Sequence, residues 1–544
     1  MEEANGLIEK IKISGFKKFQ NYEISFKQGV NILIGENEAG KSTILDAINV
    51  VLNQKYNNFD KYIVEELINR DNIKKFETSK TYEDLPKIKI EIFLALQSIP
   101  QNSQFFGIYH SDNPTFKEDS EHFKYGIVYE CCFDEDFKDA LLPSIQEGKI
   151  PYDFYKMTWK TFSDNQLKSQ KKPLKILNID NSNSNSMGAF DYYNRNLYLN
   201  KYNPKEIFEH KGLFREKLKD AFNSLNLENI SEDKKFGLNQ KKLIMENILT
   251  IYENDISVEN MGKGKENIIK TETALDKDAN RSDIILIEEP ESHLSHINLR
   301  RMIKTINDTT NQKQIIITTH NNLIVKQSDI SKLIIVGKDK PKTVNNFDEQ
   351  TAYFFEKSDD FNLLQFLLSD KCILVEGRTE YQLINNRYSQ LAGLEGVEPE
   401  QDKIDIISCF GKTYKYYLDI AKDLGKRVCV ITDNDGNEKF LNQVAQENLT
   451  NNDIKIFTDS DINNWTFEVA LYNLNKDVLK GIVKTQDEAE YKFNGVSYKE
   501  QPILGYMLNN KADIAYKLFS TSENNLTEFT YPNYIKEAIK WIRN

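Results

Sequence analysis

The stretch Gly29 to Leu52, GVNILIGENEAGKSTILDAINVVL, constrains this chain more than any other. Val30, Ile32, Leu33 and Ile34 make a short apolar run, the loop Gly35 to Ser42 fits G-x-x-x-x-G-K-[ST], and Ile44, Leu45, Ile48, Val51 and Leu52 recur at helical spacing. A strand, a glycine loop and a helix in this order form a phosphate cradle. Backbone N–H groups close on phosphate oxygens, Lys41 reaches the outer phosphates, and Ser42 offers its hydroxyl to Mg2+. Asn37, Gly40 and Thr43 belong to the same nucleotide-contacting set.

A second half of such a site lies far downstream. Ser282-Asp283 leads into Ile284, Ile285, Leu286 and Ile287, an apolar buried strand that ends on Glu288, Glu289 and Pro290. In phosphate-loop ATPases the first acid after this strand holds Mg2+ through water and the next polarises the attacking water, roles that Glu288 and Glu289 fit. Upstream, the turn MGKGKE with Gly262 and Gly264 opens a helical run, and a helix N-terminus favours anions. Gln314 to Thr319 reads as another buried strand, ending in His320.

The order of loop, glycine turn, paired acids and strand-His resembles the cassette of ABC-type ATPases, and LIEKIKISGFKKFQNYEISF resembles the two antiparallel strands of their first lobe. The resemblance implies ATP as ligand, a γ-phosphate sensor at His320, and Gly262 and Gly264 facing the nucleotide of a second subunit. It therefore implies a homodimer or higher homo-oligomer. Glu288 stands where such ATPases usually carry Asp, and no stretch matches the glutamine loop that joins their lobes.

The chain then starts again. Lys371 to Val375 is a short buried strand followed by Glu376-Gly377-Arg378-Thr379-Glu380 and a helix; Ile404 to Cys409 precedes a helix over Tyr414 to Leu424; Arg427 to Thr432 ends in Asp433-Asn434-Asp435-Gly436. Alternating strands and helices imply a parallel sheet with the acids at its carboxyl edge, which brings Glu376, Asp433 and Asp435 together. Close carboxylates repel unless protonated or bridged by cations. All-oxygen ligands suit Mg2+ or Mn2+, and a pair of such ions can activate water and stabilise the leaving oxygen of a phosphodiester.

LVEGRTE followed by ITDNDG resembles the Toprim domain of topoisomerases, primases and certain nucleases. An ABC-type ATPase followed by Toprim is the architecture of the overcoming-lysogenisation-defect (OLD) family nucleases, several of which act in bacterial anti-phage defence. The likeness covers roughly Gly6 to Leu52 and Asn260 to Glu468. It implies a metal-dependent DNA endonuclease regulated by ATP, with Glu376 and Glu380 as the first acidic pair, Asp433 and Asp435 as the second metal-binding pair, and Glu468 as a later acid. Lys511 resembles the family's late lysine, which stabilises charge on the phosphate in the transition state. The family works with partners that include helicases and retron components, a reverse transcriptase with its nucleic acid. A DNA-binding ATPase of the SMC or recombination type, without cleavage, is the alternative. A topoisomerase or primase is a third, and neither a cleavage-domain tyrosine nor a zinc module is recognisable.

The 544 residues predict several domains: a first ATPase half over 1–54, a mostly helical insertion and dimerisation region over 55–254, the second ATPase half over 255–365, and Toprim over 366–544. The fold class is α/β, an ABC-type ATPase split by the insertion and followed by a parallel-sheet Toprim domain. Within the insertion, Lys87 to Leu96 reads as a strand and NIDNSNSNSMG, Asn178 to Gly188, as a flexible loop. Lys168, Lys171, Lys172 and Lys175 read as a solvated cluster, and Leu218, Ala221, Phe222 and Leu225 share a helical face within Phe214 to Tyr252. GKDKPKTVNNFDEQ reads as a linker before a helix over Phe361 to Leu368.

A formal charge of −12 argues against a generally basic nucleic-acid coat, so DNA contacts must come from local patches or carboxylate-held cations. The five cysteines show no zinc spacing and read as small buried residues of a reducing compartment. No apolar run reaches membrane-spanning length and MEEANGLIEKIKI lacks a signal pattern, so the expectation is a cytoplasmic protein without a membrane partner.

Overall fold

The computed structural model describes residues 6–56, 60–108, 123–167, 172–181, 187–228, 230–231, 233–239, 244–276, 281–309, 313–345, 347–357, 362–483, 491–519 and 529–544. They form two compact units, one of residues 1–324 with 332–342, the other of residues 325–331 with 343–544.

Among the described residues the first unit holds two six-stranded sheets. Leu7–Phe16 alternates buried and open positions, as an antiparallel strand with one covered face should, and pairs with Phe19–Ser25 on one side and Ile88–Ala95 on the other. Lys124–Phe133 and Tyr155–Thr161 extend this sheet. The second sheet is parallel along Leu333–Ile335, Val30–Ile34, Gln314–Thr318, Ile284–Glu288 and Ile176–Asp180. Every residue of Val30–Ile34 and Gln314–Thr318 is buried, the signature of strands covered on both faces. The helix Lys41–Leu52 buries Ile44, Leu45, Ile48 and Val51 in the core that both sheets share.

Residues 55–254 contribute more strand than the sequence suggests. The expected strand is present as Ile88–Ala95, but Asn178 to Asp180 are not loop: they belong to the strand Ile176–Asp180, which pairs in parallel with Ile284–Glu288. Their polar composition hides an edge strand whose buried residues are Ile176, Leu177 and Ile179. Residues 182–186 of that stretch lie outside the described residues, and a helix runs over Met187–Lys201. The helix expected from Phe214 to Tyr252 instead covers Pro204–Ser224, opened by an Asn203–Glu206 capping box, and buries none of its residues. Lys168 and Lys171 lie outside the described residues, whereas burial pulls the Lys172 ammonium down to about 8 and Lys175 Nζ donates to the Asn200 carbonyl at 2.9 Å.

The second unit is built on a four-stranded parallel sheet ordered Ile404–Ser408, Lys371–Val375, Arg427–Ile431, Ile454–Phe457. The helices Arg378–Ala392 and Asn533–Arg543 pack Leu383, Ile384, Ile535 and Ile539 against Ile373, Val375, Cys429 and Ile431. The helix expected from Phe361 covers Leu363–Leu368, with Phe361 outside the described residues. An N-terminal ATPase domain with helical insertions and a C-terminal Toprim region with a parallel sheet is thus the fold. Four cysteines are buried as expected, while Cys132 is exposed. Among the described residues no helix is long and apolar enough to cross a membrane.

Candidate functional site

The nucleotide half is built where the parallel strands end. Gly40 has φ 108°, and a Cβ there would stand 2.4 Å from the Phe19 ring, so only glycine lets the loop turn into its helix. Lys41 is buried and its Nζ donates to the carbonyls of Gly35 and Glu36 at 2.8 and 2.9 Å. Burial pulls its pKa below the lysine range, against the pull of Glu289, Glu291 and Glu288. Asn37 and Ser42 are exposed beside it and Thr43 is half-buried.

Glu288 ends its strand in register with Thr318 on one side and Asp180 on the other. Burial raises its carboxyl, the Ser42 hydroxyl bonds to it and lowers it, and Asp180 and Glu289 raise it further. Glu289 sits at φ 45°, a rare conformation for a non-glycine residue, with its N–H on the Thr318 carbonyl at 3.0 Å. His320 Nδ1 stands 3.6 Å from Glu289 Oε1 and 3.6 Å from Glu291 Oε1. Glu291 Oε1 also accepts from the Thr319 hydroxyl at 2.7 Å. Lys41, Ser42, Glu288, Glu289 and His320 are therefore brought together in space. Asp180 and Glu291 join them unannounced; Glu291 follows the acid pair by two residues and could have been suspected, but Asp180 is placed by strand register alone.

Gly262 caps the helix Lys263–Leu275. A Cβ at Gly264 would stand 2.5 Å from the His293 carbonyl oxygen, and Asn267 Nδ2 donates to the Ser292 carbonyl at 2.9 Å. The glycine turn is thus docked on the loop that follows the paired acids.

The second unit gathers four carboxylates at the carboxyl edge of its sheet. Glu376 Oε2 accepts from the Thr432 hydroxyl and from the Asp433 N–H at 3.1 Å; Asp433 Oδ1 accepts from the Phe467 N–H at 2.8 Å. Glu380 reaches back over Gly377, where a Cβ would stand 2.7 Å from its Oε2. Glu468 accepts from the hydroxyls of Thr379 at 3.2 Å and Thr466 at 3.0 Å, and Lys511 Nζ lies 2.7 Å from its Oε2. Burial, reinforced by Glu468, pushes the Glu380 carboxyl up to about 7. Asp433 is raised well above the carboxylate range by burial and by Glu380, Glu468 and Glu376. Burial alone would lower Lys511, but Glu468, Asp433 and Glu380 hold it above the usual lysine value.

Asp435 does not join this group. With φ 52° at the turn, its carboxylate bonds to Lys412 and is half exposed, whereas Asp433 points inward. The strand ends at Ile431, so both Asp433 and Asp435 lie in the turn that follows it.

With this geometry in hand, the comparisons are specific. Residues 7–325 match the AAA ATPase domain family and residues 367–435 match the overcoming lysogenization defect protein-like Toprim domain. The chain belongs to the AAA ATPase family, fused to an OLD-like Toprim domain. That is the OLD ATPase–Toprim architecture. Among curated proteins, the chain is similar to the DNA double-strand break repair Rad50 ATPase of Methanopyrus kandleri, 44% identical over 46 residues, 8% of this chain and 5% of that protein. It is also similar to the structural maintenance of chromosomes protein 3 homolog of Plasmodium falciparum, 23% identical over 409 residues, 66% of this chain and 33% of that protein. The chain thus spans a third or less of these relatives. Among solved structures, an Smc head bound to the C-winged helix domain of ScpA matches at 14% identity and TM-score 0.32, covering 63% of this chain and 99% of that one. RecF with ATP matches at 12% and 0.28, covering 62% and 99%. At these scores the likeness carries no functional weight.

Toprim domains of this kind imply a divalent cation. Among the described residues no three His, Cys, Asp or Glu side chains form a ready cage. The donor chemistry nevertheless fits: the carboxylates outnumber the one ammonium among them, and Glu380 and Asp433 are raised by burial first and by the neighbouring carboxylates next. Mg2+ is commonly held by one or two carboxylates plus substrate phosphate and keeps several waters, so an OLD-like site needs no closed cage to recruit it.

Proposed function

We propose that this OLD-like protein is an ATP-regulated, metal-dependent DNA endonuclease of bacterial anti-phage defence. The observation that carries the reading is the group of Glu376, Glu380, Asp433 and Glu468, with Lys511 paired to Glu468, at the sheet edge where parallel α/β folds place their chemistry. A bound divalent cation supplies charge neutralisation at the scissile phosphate and a more acidic attacking water. Glu376 and Asp433, each fixed by a backbone N–H, are the residues that would hold it. Glu468 keeps the Lys511 ammonium aimed into the group, where it can take up charge on the phosphate. In the other unit Lys41 and Ser42 hold the nucleotide, Glu288 its magnesium, and Glu289 with His320 the hydrolytic water. ATP then sets the state of a homodimer or larger homo-oligomer that works with DNA and a defence partner such as a helicase or a retron reverse transcriptase.

A nuclease assay of wild type and Glu376→Gln over Mg2+ and Mn2+, with and without ATP, tests this. Cleavage by wild type and none by the variant supports it. Absence of cleavage on supercoiled, linear and single-stranded DNA would favour a DNA-binding ATPase without nuclease activity, a reading prompted by the Rad50-like stretch.

A further inference from the structure

The turn after the strand Ile404–Ser408 contains a side chain that folding does not explain. Phe410 lies at φ 50° with its ring 61% exposed, so a bulky residue occupies a conformation suited to glycine or asparagine and is not repaid by packing. The turn is fastened to the acidic edge on both sides of Phe410: the Cys409 N–H donates to the Val375 carbonyl at 2.8 Å and the Gly411 N–H to the Glu376 carbonyl at 2.9 Å. The exposed ring is therefore held beside the residue that begins the carboxylate group.

One cation lies against the ring and a second follows it in the same turn. The Arg378 guanidinium carbon stands 5.7 Å from the Phe410 ring centroid, and Lys412, two residues on, bonds to Asp435 and lies 4.8 Å from the Phe440 ring centroid. On a chain with a net charge of −12, an exposed aromatic ring with a guanidinium against it and a lysine two residues on is a local departure from the general charge. Aromatic faces take bases by stacking, adjacent cations take the phosphates, and the combination is tolerant of sequence.

We propose that Phe410, with the Arg378 guanidinium against it, is the platform on which an unpaired base of single-stranded DNA stacks next to the scissile phosphate. This rests on the nuclease reading and names how its substrate is held. The ring positions one nucleotide while Gly411 and Cys409 fix its distance from Glu376, and the turn's strain is retained because glycine could not stack.

The test uses the full chain and a fluorescein-labelled single-stranded DNA oligonucleotide, with binding followed by anisotropy in Ca2+. Phe410→Gly suits φ 50° and should melt at the same temperature as wild type or higher, yet bind roughly tenfold more weakly, the scale of one lost base–aromatic stack. Phe410→Trp should keep wild-type affinity, and a 2-aminopurine in the oligonucleotide should be quenched by wild type and not by Phe410→Gly. Wild-type affinity in Phe410→Gly, or 2-aminopurine emission that wild type leaves unchanged, overturns the platform. Failure of the nuclease reading shows separately, as cleavage that survives Glu376→Gln, and leaves the binding measurement intact.

Discussion

Lys511 Nζ lies 2.7 Å from Glu468 Oε2, which places an ammonium inside a group of four carboxylates. Glu468, Asp433 and Glu380 hold this ammonium above the usual lysine value against burial, so removing it leaves the carboxylates without their counter-charge. Lys511→Met should lower DNA cleavage by roughly 10² to 10³, the cost of losing one preorganised charge donor, while leaving nucleotide binding at the other unit unchanged. Cleavage rates with Mn2+ and fluorescent-nucleotide titration check both halves of the statement.

The ionisation of Glu380 sets a pH dependence. Its carboxyl is raised from 4.5 to about 7 in the folded protein, by burial first and by Glu468 next. Between about pH 4.5 and 7 the folded chain holds a proton that the unfolded chain has lost, so stability is greatest below this window and falls as pH rises through it. Asp433, also raised, acts in the same sense. Urea unfolding of the chelator-treated protein at pH 5 and pH 8 should show the lower midpoint at pH 8, and Glu380→Gln should narrow the difference. A midpoint that rises with pH in wild type contradicts the assignment.

Lys41 bridges the Gly35 and Glu36 carbonyls and is opposed by Glu288, Glu289 and Glu291. Lys41→Ala should abolish ATP binding and alter assembly or regulation, without changing metal binding at the second unit. Isothermal titration with ATP and with Mn2+ separates the two, and loss of both responses refutes a two-site protein.

Gly264 has no room for a side chain, because a Cβ would meet the His293 carbonyl oxygen at 2.5 Å. Gly264→Ala should push the helix Lys263–Leu275 away from the loop after the paired acids and destabilise the first unit by about 1–3 kcal/mol, the usual cost of overpacking. Thermal unfolding measures it. Gly262→Ala, with nothing within 4 Å of the added carbon, is the control and should unfold near the wild-type temperature.

Local chemistry was legible in the sequence wherever contiguous residues act together. The phosphate loop, Glu288-Glu289, the E-G-x-x-E turn and the pairing of each acid with a buried strand need only a short apolar run and the residues that end it. Asp180 was not legible, because its strand is half polar and its place beside Glu288 comes from pairing across more than a hundred residues. The side-chain partner of Asp435 was not legible either: it lies in the turn after the strand that stops at Ile431, at a positive φ, with its carboxylate on Lys412.

The sequence by itself determined that this chain has a phosphate cradle, a paired-acid strand and a second parallel sheet edged with acids, since glycine placement, apolar runs and helix periodicity act over a few residues. The tertiary structure alone decided which acids share an environment, that Lys511 sits among them, and that Phe410 is presented beside Glu376. Those relations depend on strand register and on helices returning from far along the chain, and burial then converts mere proximity into shifted pKa values and directed charge.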